Sequence, residues 1–401
     1  MRAGGRRGAT ITVLAAVLTS ACVALPAVPA DAASRCTSTP PAGQELAGVP
    51  WAQQRYAPER LAGLATGRGS VIAVIDSGID TRHPQLSGAD IVAGTDALGD
   101  GPDGRFDCLG HGTAVASIIV GQPQAGTGFR GLAPDATIVP IRVSELETLE
   151  AGGTAGHAVN PAGLAGAIRF AVNDGATVLN LSLVMYRDEP VVRDAVRYAI
   201  DQGVLVVAAV GNAHEQGDPT PYPAAYDGVI GVGAIRPDGQ RVPSSQVGGY
   251  VDLVAPGGAV PAAAVGRGYL AYEGTSFAVP FVAAAAALVH EYRPNLSARE
   301  IAARLLATAD AAPGTPGSPG YGRGVLNPYR AMTEQLASPA ALRVETPHAG
   351  DDNGLAVAAA RRTRGQALLL AGAGGSVAVL VVLAGAALPR GRRRRWRPGA
   401  P

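Results

Sequence analysis

Val71-Ile72-Ala73-Val74-Ile75-Asp76-Ser77-Gly78-Ile79-Asp80 opens the body of this chain, and its reading decides the fold. Five apolar residues run without a polar break and four of them are β-branched. A strand of that kind is buried on both faces, as in a parallel sheet; a half-solvated strand would alternate. The run ends on a carboxylate, and Gly78 permits a sharp turn just past it. Residues 136–143, 176–183, 204–210 and 229–235 repeat the continuous apolar pattern, with helical patterns between them at 111–120, 164–173 and 191–202. Residues 277–292, nearly all Ala, Val and Leu, predict a central buried helix. Ser297-Ala-Arg-Glu300 is a capping box starting a further helix that runs to Ala309. Alternating strands and helices predict an α/β fold with a doubly wound, mostly parallel sheet.

Sites in open α/β sheets form outside the carboxyl ends of strands, which makes Asp76 a candidate. His111 lies in Gly-His-Gly-Thr-Ala-Val-Ala (110–116), at the start of a predicted helix. Ser276 lies in Gly-Thr-Ser-Phe-Ala-Val-Pro-Phe-Val (274–282), at the N-terminal end of the buried helix. Free N–H groups and the helix dipole there favour a developing negative charge. A serine hydroxyl is a weak nucleophile and needs a general base, for which His111 is framed, while Asp76 would fix the imidazole tautomer. Val-Val-Ala-Ala-Val-Gly-Asn (206–212) sets Asn212 just past a buried strand, where its amide and the Ser276 N–H would hold an oxyanion. Each residue alone has an ordinary reading as a turn, cap or helix start. Three motifs in the order acid, imidazole, hydroxyl point to covalent hydrolysis by a serine, a chemistry that needs no cofactor and no metal. The other histidines (His83, His157, His214, His290, His348) lack such framing and read as packing or solvent residues.

All 33 basic residues of the 401-residue chain are Arg. Nine lie at the two ends, leaving 24 against 32 acids and a body charge of −8, which excludes the basic patch that nucleic acid requires. Arg2, Arg6 and Arg7, an apolar stretch at 11–25 and Ala30-Asp31-Ala32 read as a signal peptide over residues 1–32. Cys22 falls inside that stretch and matches a lipidation box poorly. Residues 367–389 carry no charge and would span about 34 Å as a helix. Six Arg follow and three precede them, so the positive-inside bias puts the 390–401 tail in the cytoplasm. The chain therefore reads as a single-pass type I protein of the cell membrane with its catalytic body extracytoplasmic. A buried soluble helix is the rival for 367–389, though it would not end in four consecutive Arg.

Between the two ends, residues 33–70 form an N-terminal arm, 71–336 the catalytic domain and 337–366 an Ala-rich linker. An exported chain meets an oxidising environment, so Cys36 and Cys108 most simply form a disulfide; a metal site or a reactive thiol is the alternative. Such a bridge ties the arm beside His111. The arm is too short to fold as an independent inhibitory domain. The loop with Asp96, Asp100, Asp103 and Asp107 lacks EF-hand spacing and reads as solvated rather than calcium-binding. Residues 144–163 interrupt a strand-to-helix connection, as a partner surface or as a disordered insertion.

With these flanks, Asp76, His111, Asn212 and Ser276 resemble the subtilisin-like (subtilase) family over about residues 50–335. The resemblance implies a serine endopeptidase in which they are acid, base, oxyanion donor and nucleophile. Asn180-Leu-Ser-Leu183 is similar to the strand lining the family's substrate cleft, and Ala209-Val-Gly211 to the facing strand. Ser182, Leu183, Val184, Ala209, Val210 and Gly211 are thereby the substrate-binding candidates, with an extended peptide between the two segments. Val184 stands where many of the family have glycine, which narrows what the primary pocket accepts. One subgroup resembles the chain over nearly its whole length, namely the mycosins, membrane-anchored subtilases of type VII secretion. It matches in the signal, the 50–60 arm, Phe277 after the nucleophile, the paired cysteines and the span with its basic tail. That resemblance implies processing of secreted substrates and association with the secretion membrane complex. A general cell-surface subtilase and a scaffold subunit with incidental activity are the competing expectations.

Overall fold

The computed structural model describes Cys36 and residues 43–145, 147–148, 154–155, 158–313 and 317–336. The signal segment, linker, predicted span and basic tail lie outside the described residues.

Seven parallel strands form one sheet: β1 (Val71–Asp76), β2 (Thr95–Asp96), β3 (Thr137–Arg142), β6 (Val178–Leu181), β7 (Leu205–Ala209), β8 (Val229–Ile235) and β9 (Leu253–Pro256). Their order is β2-β3-β1-β6-β7-β8-β9. Two antiparallel ladders stand apart, β4 (Glu147–Thr148) with β5 (Thr154–Ala155), and β10 (Val260–Ala263) with β11 (Tyr269–Tyr272). The continuous apolar runs serve two cores at once because successive side chains point to opposite faces. Ile72, Val74, Val207 and Ala209 join one core with helices α3 (His111–Val120) and α6 (Val279–Tyr292). Ala73, Ile75, Val206, Ala208 and Val210 join the other with α4 (Pro161–Asn173) and α5 (Pro190–Asp201).

Helix α6 is buried along residues 279–289. Its run Ala283 to Ala287 has no exposed surface, and such small side chains let the helix lie close on the sheet. It begins two residues later than its apolar pattern suggests, because Thr275–Phe277 forms a separate 3-10 turn and Pro280 fits the first helical turn. Helix α7 (Ala298–Ala307) starts at the Ser297 capping box, and α8 (Pro328–Thr333) closes the described chain.

The arm packs onto the first core. Helices α1 (Trp51–Tyr56) and α2 (Pro58–Leu61) bury Ala52, Tyr56 and Leu61, and the Tyr56 ring lies 5.5 Å from that of Phe281. Gln44 pairs with Tyr269, extending the β10–β11 ladder by an isolated bridge. Cys36 and Cys108 are joined in a disulfide with Cα atoms 5.3 Å apart, so neither is a free thiol or a metal ligand. Strand order turns at β1, where β3 lies on one side and β6 on the other. Such a switch point is where a crevice is expected, and Asp76 ends the strand there.

Candidate active site

Asp76 is the last residue of β1 and His111 the first of α3, and the fold sets them in contact. His111 Nδ1 lies 2.7 Å from Asp76 Oδ1, which also accepts the Ser77 N–H at 2.7 Å. The carboxylate side chain is 4% exposed and the imidazole 32%, so one edge of the ring faces the crevice. Glycine at 112 is obligatory here: a Cβ would fall 2.1 Å from the Gly78 carbonyl oxygen and 3.1 Å from Asp76 Cβ. Burial pushes the His111 pKa down, but the charge and hydrogen bond of Asp76, helped by the Asp107 charge, outweigh it and leave it above 6.5.

That direction has a consequence for a reaction in which His111 acts as base. The neutral ring is the competent form, so activity is lost as pH falls through a midpoint above 6.5. A pH profile of kcat/KM checks it; an acid limb centred below 6.5 would contradict the electrostatic account.

Ser276 sits in the Thr275–Phe277 turn, which packs against the start of α3. The Phe277 ring centroid is 5.0 Å from that of His111, and the Tyr272 ring backs Phe277 at 4.7 Å. A relay holds the turn from below: Asn180 Nδ2 donates to Ser182 Oγ at 3.0 Å, and Ser182 Oγ donates to the Ser276 carbonyl at 2.8 Å. Among the described residues the Ser276 hydroxyl itself has no hydrogen-bond partner, leaving it free to meet a substrate carbonyl.

Asn212 follows β7 and is exposed. Its Oδ1 accepts the Thr275 N–H at 2.9 Å, which fixes the orientation of the amide. Nδ2 lies 3.1 Å from the position a Cβ on Gly274 would take, so glycine at 274 (φ +142°) lets the amide sit against the turn carrying Ser276. Gly211 N–H donates to Thr275 Oγ1 at 3.2 Å, a second tie between the two segments.

The substrate candidates need correction. β6 and β7 are hydrogen-bonded neighbours from Val178↔Leu205 to Leu181↔Ala208, so no peptide fits between them. The segments 182–184 and 209–211 are adjoining walls at the strand ends, not opposite banks of a cleft. Ala209 and Val210 have no exposed surface and belong to the two cores, and the Val210 and Gly211 N–H groups already donate to Val232 and Thr275. Ser182 is buried beneath the nucleophile turn, while Leu183 and Val184 are half-buried on opposite cores. Tyr186 (49% exposed) stands beside this wall, its hydroxyl 3.0 Å from the position a Cβ on Gly211 would take. An aromatic in a turn-rich segment gives no sequence signal of that placement.

The acidic loop is paired as well as solvated, with Asp100 44% exposed at its side chain. Arg142, 1% exposed at its side chain, reaches Asp96 at 3.1 Å, Asp100 at 2.9 Å and Glu145 at 2.9 Å. Asp103 pairs with Arg105, and Asp107 is buried beneath α3. Composition does not reveal the ties to Asp96 and Asp100, because Arg142 is distant in sequence and arrives through the β2–β3 pairing. His83, His214 and His290 contact Gly268, Asp218 and Ser70 respectively, as packing residues; His157 and His348 lie outside the described residues.

Comparison with known proteins gives the family and the fold. Residues 67–324 match the model of the subtilase family. A thermophilic serine proteinase of Bacillus sp. (strain AK1) is 37% identical over 267 residues, which is 66% of this chain and 62% of that protein. Thermitase of Thermoactinomyces vulgaris is 33% identical over 70% of this chain and 97% of its own. Among solved structures, MycP1 from Mycobacterium smegmatis superposes with a TM-score of 0.64 at 29% identity, covering 77% of this chain and 92% of that one. The MycP3 protease from the type VII (ESX-3) secretion system gives 0.62 at 29% identity, over 74% and 96%.

Proposed function

The chain belongs to the subtilase family, and from that premise we propose that it is a membrane-anchored, extracytoplasmic serine endopeptidase. The observation that carries the reading is the 2.7 Å contact of His111 Nδ1 with Asp76, beside the turn that bears Ser276. Asp76 holds the proton on Nδ1, leaving Nε2 to take the Ser276 proton as Oγ attacks the scissile carbonyl carbon. The carbonyl oxygen becomes an oxyanion facing the Asn212 amide and the Ser276 N–H. His111 then passes the proton to the leaving amine, and the C–N bond breaks to leave an acyl ester on Ser276. Water, deprotonated by His111, cleaves the ester, releasing a carboxylic acid and restoring the hydroxyl.

The substrate is a protein or peptide, and we assign it to type VII secretion. Support comes from the solved mycosin structures at 29% identity and from the signal and span read in the sequence. A general cell-surface subtilase is the second reading, favoured by subtilisin relatives at 33–36% identity. The half-buried Val184, two residues after the Ser182 that bonds the nucleophile turn, argues for a narrower pocket than a general degrader needs.

The test is labelling of the detergent-solubilised chain with a fluorophosphonate. A single adduct mapping to Ser276 is expected. A folded protein that takes no label would place the scaffold reading first.

A further inference from the structure

Asp107 lies four residues before His111 and takes no part in the steps above, yet its carboxylate is the most fully engaged group near the site. It is 3% exposed. Oδ1 accepts Ser77 Oγ at 3.0 Å, Leu109 N–H at 2.9 Å and Gly110 N–H at 2.9 Å. Oδ2 accepts the Thr113 N–H at 2.9 Å and the Thr113 hydroxyl at 2.6 Å. The two hydroxyls are oriented by other donors, since Ser77 Oγ accepts the Gly112 N–H and Thr113 Oγ1 accepts the Asp80 N–H, both at 2.9 Å. Each hydroxyl hydrogen is therefore free to point at the carboxylate.

These contacts join three segments that must agree for the dyad to form. Ser77 follows Asp76 at the end of β1, Leu109 and Gly110 are the approach to α3, and Gly112 and Thr113 flank His111 in its first turn. One anion thus fixes the separation of the strand end bearing the acid and the helix start bearing the base. We propose that Asp107 is a positioning residue for the reaction, a buried anion that clamps Asp76 to His111 and adds negative charge behind the imidazole.

Burial raises the Asp107 carboxyl above its ordinary value, and the hydrogen bonds pull it only part of the way back. Three of its five contacts come from backbone N–H groups, which can only donate and so favour the anion; a proton on the carboxyl would have to turn away a hydroxyl donor. The anion is the form that the geometry accommodates. Among the described residues, Asp76 and Asp107 are the acids whose charge acts on the ring. Residues 275–289 and β10 carry none, Asp76 is the one acid of β1, Asp80 is paired with Arg82, and burial keeps the Tyr272 hydroxyl protonated.

This inference rests on His111 being the base, so the experiment separates the two ideas. The full-length solubilised chain and Asp107→Asn are compared by fluorophosphonate labelling rate across pH, and by NMR titration of the His111 imidazole, one of only six histidines. Asp107→Asn is expected to slow labelling on the order of 10²-fold, the size of loss a small misplacement of reacting groups causes. Its acid limb and its imidazole midpoint are both expected to move to lower pH. A uniform loss with neither midpoint moved would overturn the electrostatic part and leave packing; an unchanged rate would overturn the clamp. If the wild type takes no label, the peptidase reading falls, while the imidazole titration still decides the charge effect. Should Asp107→Asn not fold, Ser77→Ala keeps the anion and removes one link: slower labelling with the acid limb unmoved is expected, and a wild-type rate would refute the clamp.

Discussion

Ser276→Ala is expected to lower the turnover of a fluorogenic peptide by roughly 10⁶-fold, the loss that removal of the nucleophile causes when a triad acts as a unit. The structure makes this a clean test. The Ser276 hydroxyl bonds to nothing among the described residues, whereas the backbone carbonyl that Ser182 holds at 2.8 Å is retained in alanine. Thermal stability should therefore stay within about 0.5 kcal/mol of wild type, as for substitutions away from packing and buried hydrogen bonds. Residual turnover of about 10³–10⁴ over water would come from the oxyanion donors and binding. Activity within tenfold of wild type would remove Ser276 from the chemistry. The same variant separates proteolysis from scaffolding in cells: if secretion persists with Ser276→Ala but stops when the gene is deleted, the chain's presence matters more than its hydrolysis.

Asn212→Ala should cost about 10²–10³ in kcat, or roughly 2.7–4 kcal/mol, with KM little changed. The reason is that negative charge on the substrate oxygen exists only after attack, so a donor aimed there discriminates transition state from ground state. Alanine also removes the acceptor of the Thr275 N–H, a 2.9 Å contact at the nucleophile turn. Asn212→Asp keeps that acceptor but places a negative charge at the oxyanion, so it should be no better than alanine. A kcat that survives both changes while KM rises would make Asn212 a binding residue. The labelling rate gives an independent reading, because fluorophosphonate attack passes through the same kind of oxyanion.

Much of the fold was legible in local pattern. The strand runs at 71–75, 204–210 and 229–235 were continuous and β-branched, and β1, β7 and β8 fall on them within a residue or two. The elements that pattern missed are short or broken by proline. β9 (Leu253–Pro256) and β10 (Val260–Ala263) have four residues each and contain Pro256 and Pro261, which suits an edge strand and a separate hairpin but dilutes any periodic signal. Helices α1 and α2 have six and four residues, too few to show an amphipathic period. The shift of α6 from 277 to 279 reflects the 3-10 turn that carries Ser276, a local geometry that composition does not encode.

The site divides along the same line. Asp76, His111, Asn212 and Ser276 each stand in a motif whose glycines make a local demand, such as the close approach at Gly112, and the order of those motifs, not any one of them, made the candidates legible. Sequence alone therefore determined the order of strands and helices, the types of reacting group and the signs of the charged ends. What tertiary structure decided was who meets whom. It sent Ala209 and Val210 inward, gave Arg142 to Asp96 across 46 residues and brought Ser77 to Asp107 across 30. The physical reason is range. Propensity, capping and turn chemistry act within about four residues. The cost of burying a charge or an unpaired N–H is settled by partners that only sheet pairing and helix packing can deliver.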